Sequence, residues 1–327
     1  MKTRFVKDLE AGEEIMGLSF ALNTYENKTA ANGSQYLNLA LSDKTGEINA
    51  KIWEDNLNKC DKASVGDIVA IDGTVSAYKG SLQITIKSMQ KLEVDKNDLS
   101  DFLPTSKADI DKLFKNIEKT IISFDNQYIK KLLSNIFKDK DFQQKFKQAP
   151  AAEKIHHAYL GGLVEHLSEM LGLAEKLCEL YPNINKDLLI AGVLLHDTGK
   201  MDELTMTTCV QRTTAGYLLG HISIIAMRVN EEIKKIENFP EELKLQILHL
   251  ILSHHGELGF GSPVKPMTTE AWALHYIDQL STKVNISYNI TEELKGQGIE
   301  FSDKVYALDN KLFIPQDSAD DNKKTLF

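Results

Sequence analysis

Over roughly the first 95 residues, apolar and polar positions alternate in short runs separated by turn dipeptides, the period of half-buried β-strands. In SQYLNLALSDKTGEINAKIW, Leu37, Leu39 and Leu41 fall on one face, Lys44-Thr45-Gly46 turns the chain, and Ile48, Ala50 and Ile52 share a face. That pattern predicts a hairpin. GDIVAIDGTVSAYKGSLQITIKSMQKLEV repeats it around Lys79-Gly80, and a first strand is expected from about Glu14 to Tyr25. Five such strands suit a small closed barrel of the OB type. From Asp98 onward the period changes to three and four: DKLFKNIEKTIISF and QYIKKLLSNIFKDKDFQQKFKQ read as amphipathic helices, and Pro150 breaks one helix from the next. Nearly everything after Ala151 is helical in pattern. The chain is therefore expected to be multidomain, α and β. A five-stranded OB-type β-barrel would span 1–97, a helical connector 98–150, an all-α domain 151–313 and a polar C-terminal tail 314–327.

Composition supports a folded chain of two or three units, with 327 residues, 42% of them hydrophobic and 26% charged. No apolar run approaches the ~20 residues needed to cross a bilayer, and MKTRFVKDLEAGEEI lacks the apolar core of a signal peptide. A cytoplasmic location without a membrane partner is the expectation. Cys60, Cys178 and Cys209 are far apart and form no CxxC pair, which predicts neither a disulfide framework nor a zinc ribbon. A formal charge of -9 argues against coating nucleic acid through bulk electrostatics, although residues 101–150 are net basic.

All nine histidines lie beyond residue 155. His166 sits at the edge of the apolar stripe Leu163, Leu167, Met170, Ala174 and Leu177. His196 and Asp197 end DLLIAGVLLHD, a helix apolar on almost every side. Gly199 would let that helix stop and leave Lys200 free to point at the same spot. Asp278 follows Ala271 and Leu274 at helical spacing. Taken singly, a histidine on an apolar face is an ordinary hydrogen-bonded core residue, and an aspartate an ordinary cap. As a set, three helices each offer a ligand-type residue to the interior, and a metal is the economical explanation for buried ionisable groups.

His166, then HDTGK, then the helix-borne Asp278 resembles the H...HD...D pattern of the HD-domain phosphohydrolase superfamily, whose fold is all-helical. The resemblance implies that His166, His196, Asp197 and Asp278 are metal ligands and that Asp197 and Lys200 serve catalysis, Lys200 near substrate phosphate. It further suggests a second ion at His221 in LLGHISI and at one or both of His254 and His255 in LILSHHGELGFGSP, bridged to the first by Asp197. Two ions so placed would activate water for attack on phosphorus. Arg212 would neutralise developing charge, and His156 and His157 either contact substrate phosphates or pack. His249 and His275 are expected to be structural or supporting. Imidazole with carboxylate suits Mn, Fe, Co, Ni or Zn better than an all-oxygen site would.

The barrel bears on which phosphoester is cut. Opposite the leucines lies a polar and aromatic face with Tyr36, Asn38, Ala40 and Ser42 on one strand and Asn49, Lys51 and Trp53 on its neighbour, the kind of surface on which OB folds stack bases and follow a backbone. Lys28 and Lys79 add weak support, and Lys112, Lys115, Lys130, Lys131, Lys145 and Lys147 either line a path or form a solvated helix face. An OB barrel, a helical link and an HD domain resemble the YhaM-like 3'-to-5' exoribonucleases, through HHAYLGGLVEH, DLLIAGVLLHDTGK, GYLLGHI and LSHHGELGFGSP. This implies a metal-dependent exonuclease on single-stranded RNA, with Mn the first choice of ion and with single-stranded DNA and a homo-oligomer left open. The rivals are an HD hydrolase of free nucleotides or cyclic dinucleotides, and a nucleic-acid-binding regulator with an inactive HD site. The Gly-Tyr-Pro element of the cyclic-dinucleotide group is absent after the paired histidines, which counts against that rival.

Overall fold

The computed structural model describes residues 2–30, 33–78, 81–93, 101–103, 105–153, 157–206 and 210–316. The turn expected at Lys79-Gly80, the 97/98 boundary, His156, Cys209 and the tail from 317 lie outside the described residues. Two compact units emerge: Met1–Lys107 with Tyr159–Gly161 and Leu204–Thr213, and Ala108–Ala158 with Gly162–Glu203 and Thr214–Phe327.

The first unit is a closed barrel in the order β1-β2-β3-β5-β4, formed by β1 (Glu14–Thr29), β2 (Gln35–Asp43), β3 (Gly46–Trp53), β4 (Ile68–Tyr78) and β5 (Ser81–Leu92). The hairpin has the expected register: Leu37, Leu39 and Leu41 oppose Ile52, Ala50 and Ile48, and all six are buried. β1 is long because one strand serves two partners. Its first half pairs with β4 and its second half with β2, with register shifts between Ile15 and Leu18 and between Leu22 and Thr24. Such bulges bend a strand and sharpen its twist, which lets a sheet curl on itself. Parallel pairing of β3 with β5 completes the closure. A short hairpin, β6 (Leu204–Met206) with β7 (Val210–Arg212), groups with this unit, where Gln211 donates to Val65 O. Its three-residue strands interrupt an otherwise helical segment and are too short for a period-2 pattern.

The second unit is helical. α1 (Ile110–Ser123), α2 (Gln127–Phe137) and α3 (Lys140–Gln148) are capped by Asp109, Asn126 and Asp139, whose side chains accept from amides of the first turn. The run expected to continue from Gln127 to Gln148 thus breaks at Lys138-Asp139. α4 (Gly162–Leu180), α5 (Lys186–Leu195), α6 (Lys200–Glu203), α7 (Thr214–Lys234), α8 (Glu241–Ser253) and α9 (Thr269–Leu294) follow. One apolar cluster runs from Phe114 in α1 to Ile277 in α9, so α1–α3 share their core with the later helices. α5 lies at its centre: Leu188 to Leu195 are all buried, and it packs on α4, α8 and α9. Ile314, at the start of the expected tail, is buried, with its amide on Glu300 O. No helix among the described residues is long and apolar enough to cross a membrane.

Candidate metal centre

α5 ends at Leu195, and the aliphatic helix delivers His196 and Asp197 into the interior, 0% and 2% exposed. α4 supplies His166, fully buried rather than at the edge of its stripe, and α9 supplies Asp278. α7 is kinked at Gly220, whose φ of 69° is open to glycine, and the helix resumes at His221. Gly199 plays a different part from the expected helix stop, since it is not among the positive-φ residues. A Cβ there would lie 2.2 Å from His221 O, so glycine lets α7 come against the HD turn. α8 ends at Ser253, followed by His254, His255 and Gly256.

These side chains converge on Asp197. Its Oδ2 is 3.4 Å from His196 Nε2, 3.8 Å from His166 Nε2 and 2.6 Å from Lys200 Nζ. Its Oδ1 is 3.4 Å from His221 Nε2 and 3.7 Å from His254 Nε2. Asp278 Oδ1 lies 3.3 Å from His166 Nε2. Ligand atoms of His166, His196 and Asp197 fall within 4.8 Å of one another, as do those of His221, His254 and His255. The two carboxylate oxygens of Asp197 therefore face two sets of donors.

The second nitrogen of each ring is held by the protein. His196 Nδ1 contacts Val193 O at 3.0 Å, His254 Nδ1 contacts Ile251 O at 2.7 Å, and His255 Nδ1 contacts Phe260 O at 2.7 Å. His221 Nδ1 contacts Glu203 Oε2 at 2.9 Å and His166 Nδ1 contacts Ser281 Oγ at 3.2 Å. A carbonyl or carboxylate at Nδ1 keeps the proton there and leaves Nε2 as a lone pair, the arrangement that supports metal-binding histidines. His196 Nε2, His221 Nε2, His254 Nε2 and Asp197 Oδ1 are buried with no hydrogen-bond partner among the described residues. Convergent buried lone pairs without donors are costly unless a cation takes them. The donor set fits a divalent transition metal.

Electrostatics point the same way. Burial pushes the Asp197 carboxyl up, but the Lys200 ammonium and the surrounding imidazoles outweigh it and hold it well below the usual carboxylate range. Asp278 is likewise held low, by His166 against burial. Burial lowers His166, and burial with the adjacent imidazoles lowers His254 strongly, so both favour the neutral ring that ligation needs. His196 goes the other way: burial lowers it, but the Asp197 carboxylate raises it more.

The other predicted residues lie as follows. His157, 1% exposed with φ 45°, faces the interior and places Nε2 3.3 Å from Glu169 Oε2. His275 supports His254 through its main-chain carbonyl, at 2.9 Å, and His249 Nε2 accepts from the Met267 amide. Arg212 is exposed on β7, in the unit that holds the barrel. On the barrel, Tyr36 and Trp53 are cross-strand partners with ring centroids 5.1 Å apart, and Lys51 Nζ lies 5.7 Å and 5.9 Å from their centroids. Tyr78, unremarked in the sequence, completes the patch at 5.4 Å from the same ammonium. Farther along β2, Ala40 and Ser42 are buried, which confines the open face to this end. Glu169, Glu203 and Ser281 were also missed. Glu169 and Ser281 each lie one helical turn beyond a ligand candidate, His166 and Asp278, a spacing that puts them on the same face.

A family model described as an OB-fold nucleic acid binding domain matches residues 24–92, and one described as an HD domain matches residues 163–283. A 3'-5' exoribonuclease YhaM of Geobacillus sp. (strain WCH70) is 36% identical, over 93% of this chain and 92% of its own length. Its counterpart in Shouchella clausii is 37% identical over 94% and 95%, and that of Bacillus subtilis 36% identical over 93% and 95%. An OB barrel, a helical HD unit and relatives matched nearly end to end agree, and the chain belongs to the YhaM 3'-5' exoribonuclease family.

Proposed function

We propose that this protein is a metal-dependent 3'-to-5' exoribonuclease whose histidine–aspartate cluster hydrolyses the terminal phosphodiester of single-stranded RNA. The observation that carries the chemistry is the position of Asp197, with one oxygen toward His166 and His196 and the other toward His221 and His254. In this reading His166, His196, Asp197 and Asp278 would hold one ion, and His221, His254 and His255, with Asp197, would hold another. Divalent ions bound there would lower the pKa of a water and neutralise charge on phosphoryl oxygens. Water oxygen bonds to phosphorus, the bond to the 3'-oxygen of the penultimate nucleotide breaks, and a nucleoside 5'-monophosphate leaves. Lys200 supplies a cation beside Asp197, and Arg212 is proposed to meet substrate phosphate. Manganese is the proposed ion, and an RNA substrate would place the enzyme in the cytoplasm.

We assign strand binding to the barrel over residues 1–97 and cleavage to 151–313, with 98–150 as the connector, whose helices α1–α3 share the apolar core of the later helices. Tyr36, Trp53 and Tyr78 offer rings for bases and Lys51 a cation for the backbone, a combination that accepts single strands of RNA or DNA. Digestion of a 5'-labelled single-stranded RNA with added Mn tests the assignment. The native chain should give a ladder shortening from the 3' end, and Asp197→Ala should give none. RNA left intact by the native chain across several divalent metals would instead favour free nucleotides as substrates.

A further inference from the structure

Three buried side chains, His157, Ser281 and His166, and the solvent-accessible carboxylate of Glu169 form a line behind the first donor set. His157 Nε2 lies 3.3 Å from Glu169 Oε2, Ser281 Oγ donates to the same carboxylate oxygen at 2.9 Å, and His166 Nδ1 lies 3.2 Å from Ser281 Oγ. We propose that Glu169 is a positioning residue that acts through Ser281 to fix the tautomer of His166. The inference rests on the reading of His166 as a metal ligand.

A serine hydroxyl has one hydrogen to give and two lone pairs to receive. With that hydrogen committed to Glu169, the oxygen can only accept from His166, so the neutral ring carries its proton on Nδ1. Nε2 then presents its lone pair toward Asp197 and Asp278. An opposing influence makes the relay necessary, because Asp278 Oδ1 lies 3.3 Å from His166 Nε2. In a metal-free ring that carboxylate favours a proton on Nε2, which blocks ligation. Without Glu169, the Ser281 hydroxyl turns to donate to Nδ1, and the proton settles on the wrong nitrogen. The other rings use a single acceptor for this purpose: Glu203 for His221, and main-chain carbonyls for His196 and His254. His166 is served by a hydroxyl, which accepts or donates according to its neighbour, and so its tautomer depends on a residue it does not touch. His157 braces Glu169 from the far side.

The test uses the full-length chain labelled with 15N-histidine, metal-free, at a pH high enough to keep His166 neutral, together with Mn titration calorimetry. The native chain should show His166 protonated on Nδ1. Glu169→Ala should move that proton to Nε2 and weaken Mn binding about 10- to 100-fold, the range typical for lost outer partners of metal ligands. Ser281→Ala should lose affinity comparably, and Ser281→Thr, which keeps the hydroxyl, should recover it. A native His166 protonated on Nε2 overturns the relay without any variant. A folded Glu169→Ala protein with native tautomer and native Mn affinity overturns it as well. A native chain that binds no divalent ion, or binds equally after His166→Ala, removes the metal reading itself, and the relay with it.

Discussion

Lys200 and His196 show how one carboxylate sets the properties of its neighbours. Lys200 Nζ sits 2.6 Å from Asp197 Oδ2. If its work is to neutralise charge as the phosphodiester breaks, Lys200→Ala should lower kcat about 10²-fold to 10³-fold, the cost of losing one charge-stabilising donor. Metal content, measured by elemental analysis, should not change. His196 predicts a pH dependence. In the metal-free fold Asp197 outweighs burial and raises its pKa above the ordinary value. The protonated ring is thus favoured by folding. Its contribution to stability is fully present below about pH 6.5 and fades as pH rises through the folded pKa. An arriving cation displaces that proton, so metal affinity should fall as pH falls through the same range. Calorimetry in buffers of different ionisation enthalpy should show proton release on metal binding that diminishes as the pH is raised through the folded pKa of His196. The ligand candidates were legible because ionisable residues inside aliphatic runs are conspicuous. Glu169, Glu203, Ser281 and Tyr78 were not, because a polar side chain reveals its work only when the partner helix or strand is in place.

Among the elements, the HD turn and α7 depend on a glycine for want of room. Gly199→Ala puts a methyl 2.2 Å from His221 O, a backbone atom that cannot swing aside. Such overpacking costs about 1–3 kcal/mol. The variant should melt several degrees lower and should lose the His221 side of the centre before the His166 side, read as a reduced metal-to-protein ratio. Gly256 is similarly constrained: its φ is +81° and a Cβ would lie 2.3 Å from the His275 ring. Periodicity located most elements, since strands and helices that bury one face must repeat at 2 or 3.6 residues. It failed where a cap decides: the apolar spacing runs on through Lys138, and only Asp139, accepting from Phe142 N, stops one helix and starts the next. It also missed β6 and β7, whose three residues each are too few to show a period of 2.

On the scale of the whole molecule, the switch from period 2 to period 3.6 predicts a barrel followed by helices, and the compact units divide at Lys107/Ala108, with Tyr159–Gly161 and Leu204–Thr213 grouped with the barrel. An amphipathic stripe says that a helix is buried but not against what, so the common core of α1–α3 with α4–α9 was not legible. The proposed division of labour has a kinetic consequence. Trp53→Ala and Tyr36→Ala should each raise KM for single-stranded RNA, by the equivalent of about 1–3 kcal/mol per lost ring. kcat on a saturating substrate should stay near native, in contrast to Lys200→Ala. In the proposed two-ion reading, each oxygen of Asp197 would serve one metal site. Mn bound per chain, measured at saturation by equilibrium dialysis, tests it most directly. Two ions are expected for the native protein, one for His221→Ala combined with His254→Ala, and neither retained tightly by Asp197→Ala. A single ion in the native protein, or two ions undisturbed by Asp197→Ala, would contradict it.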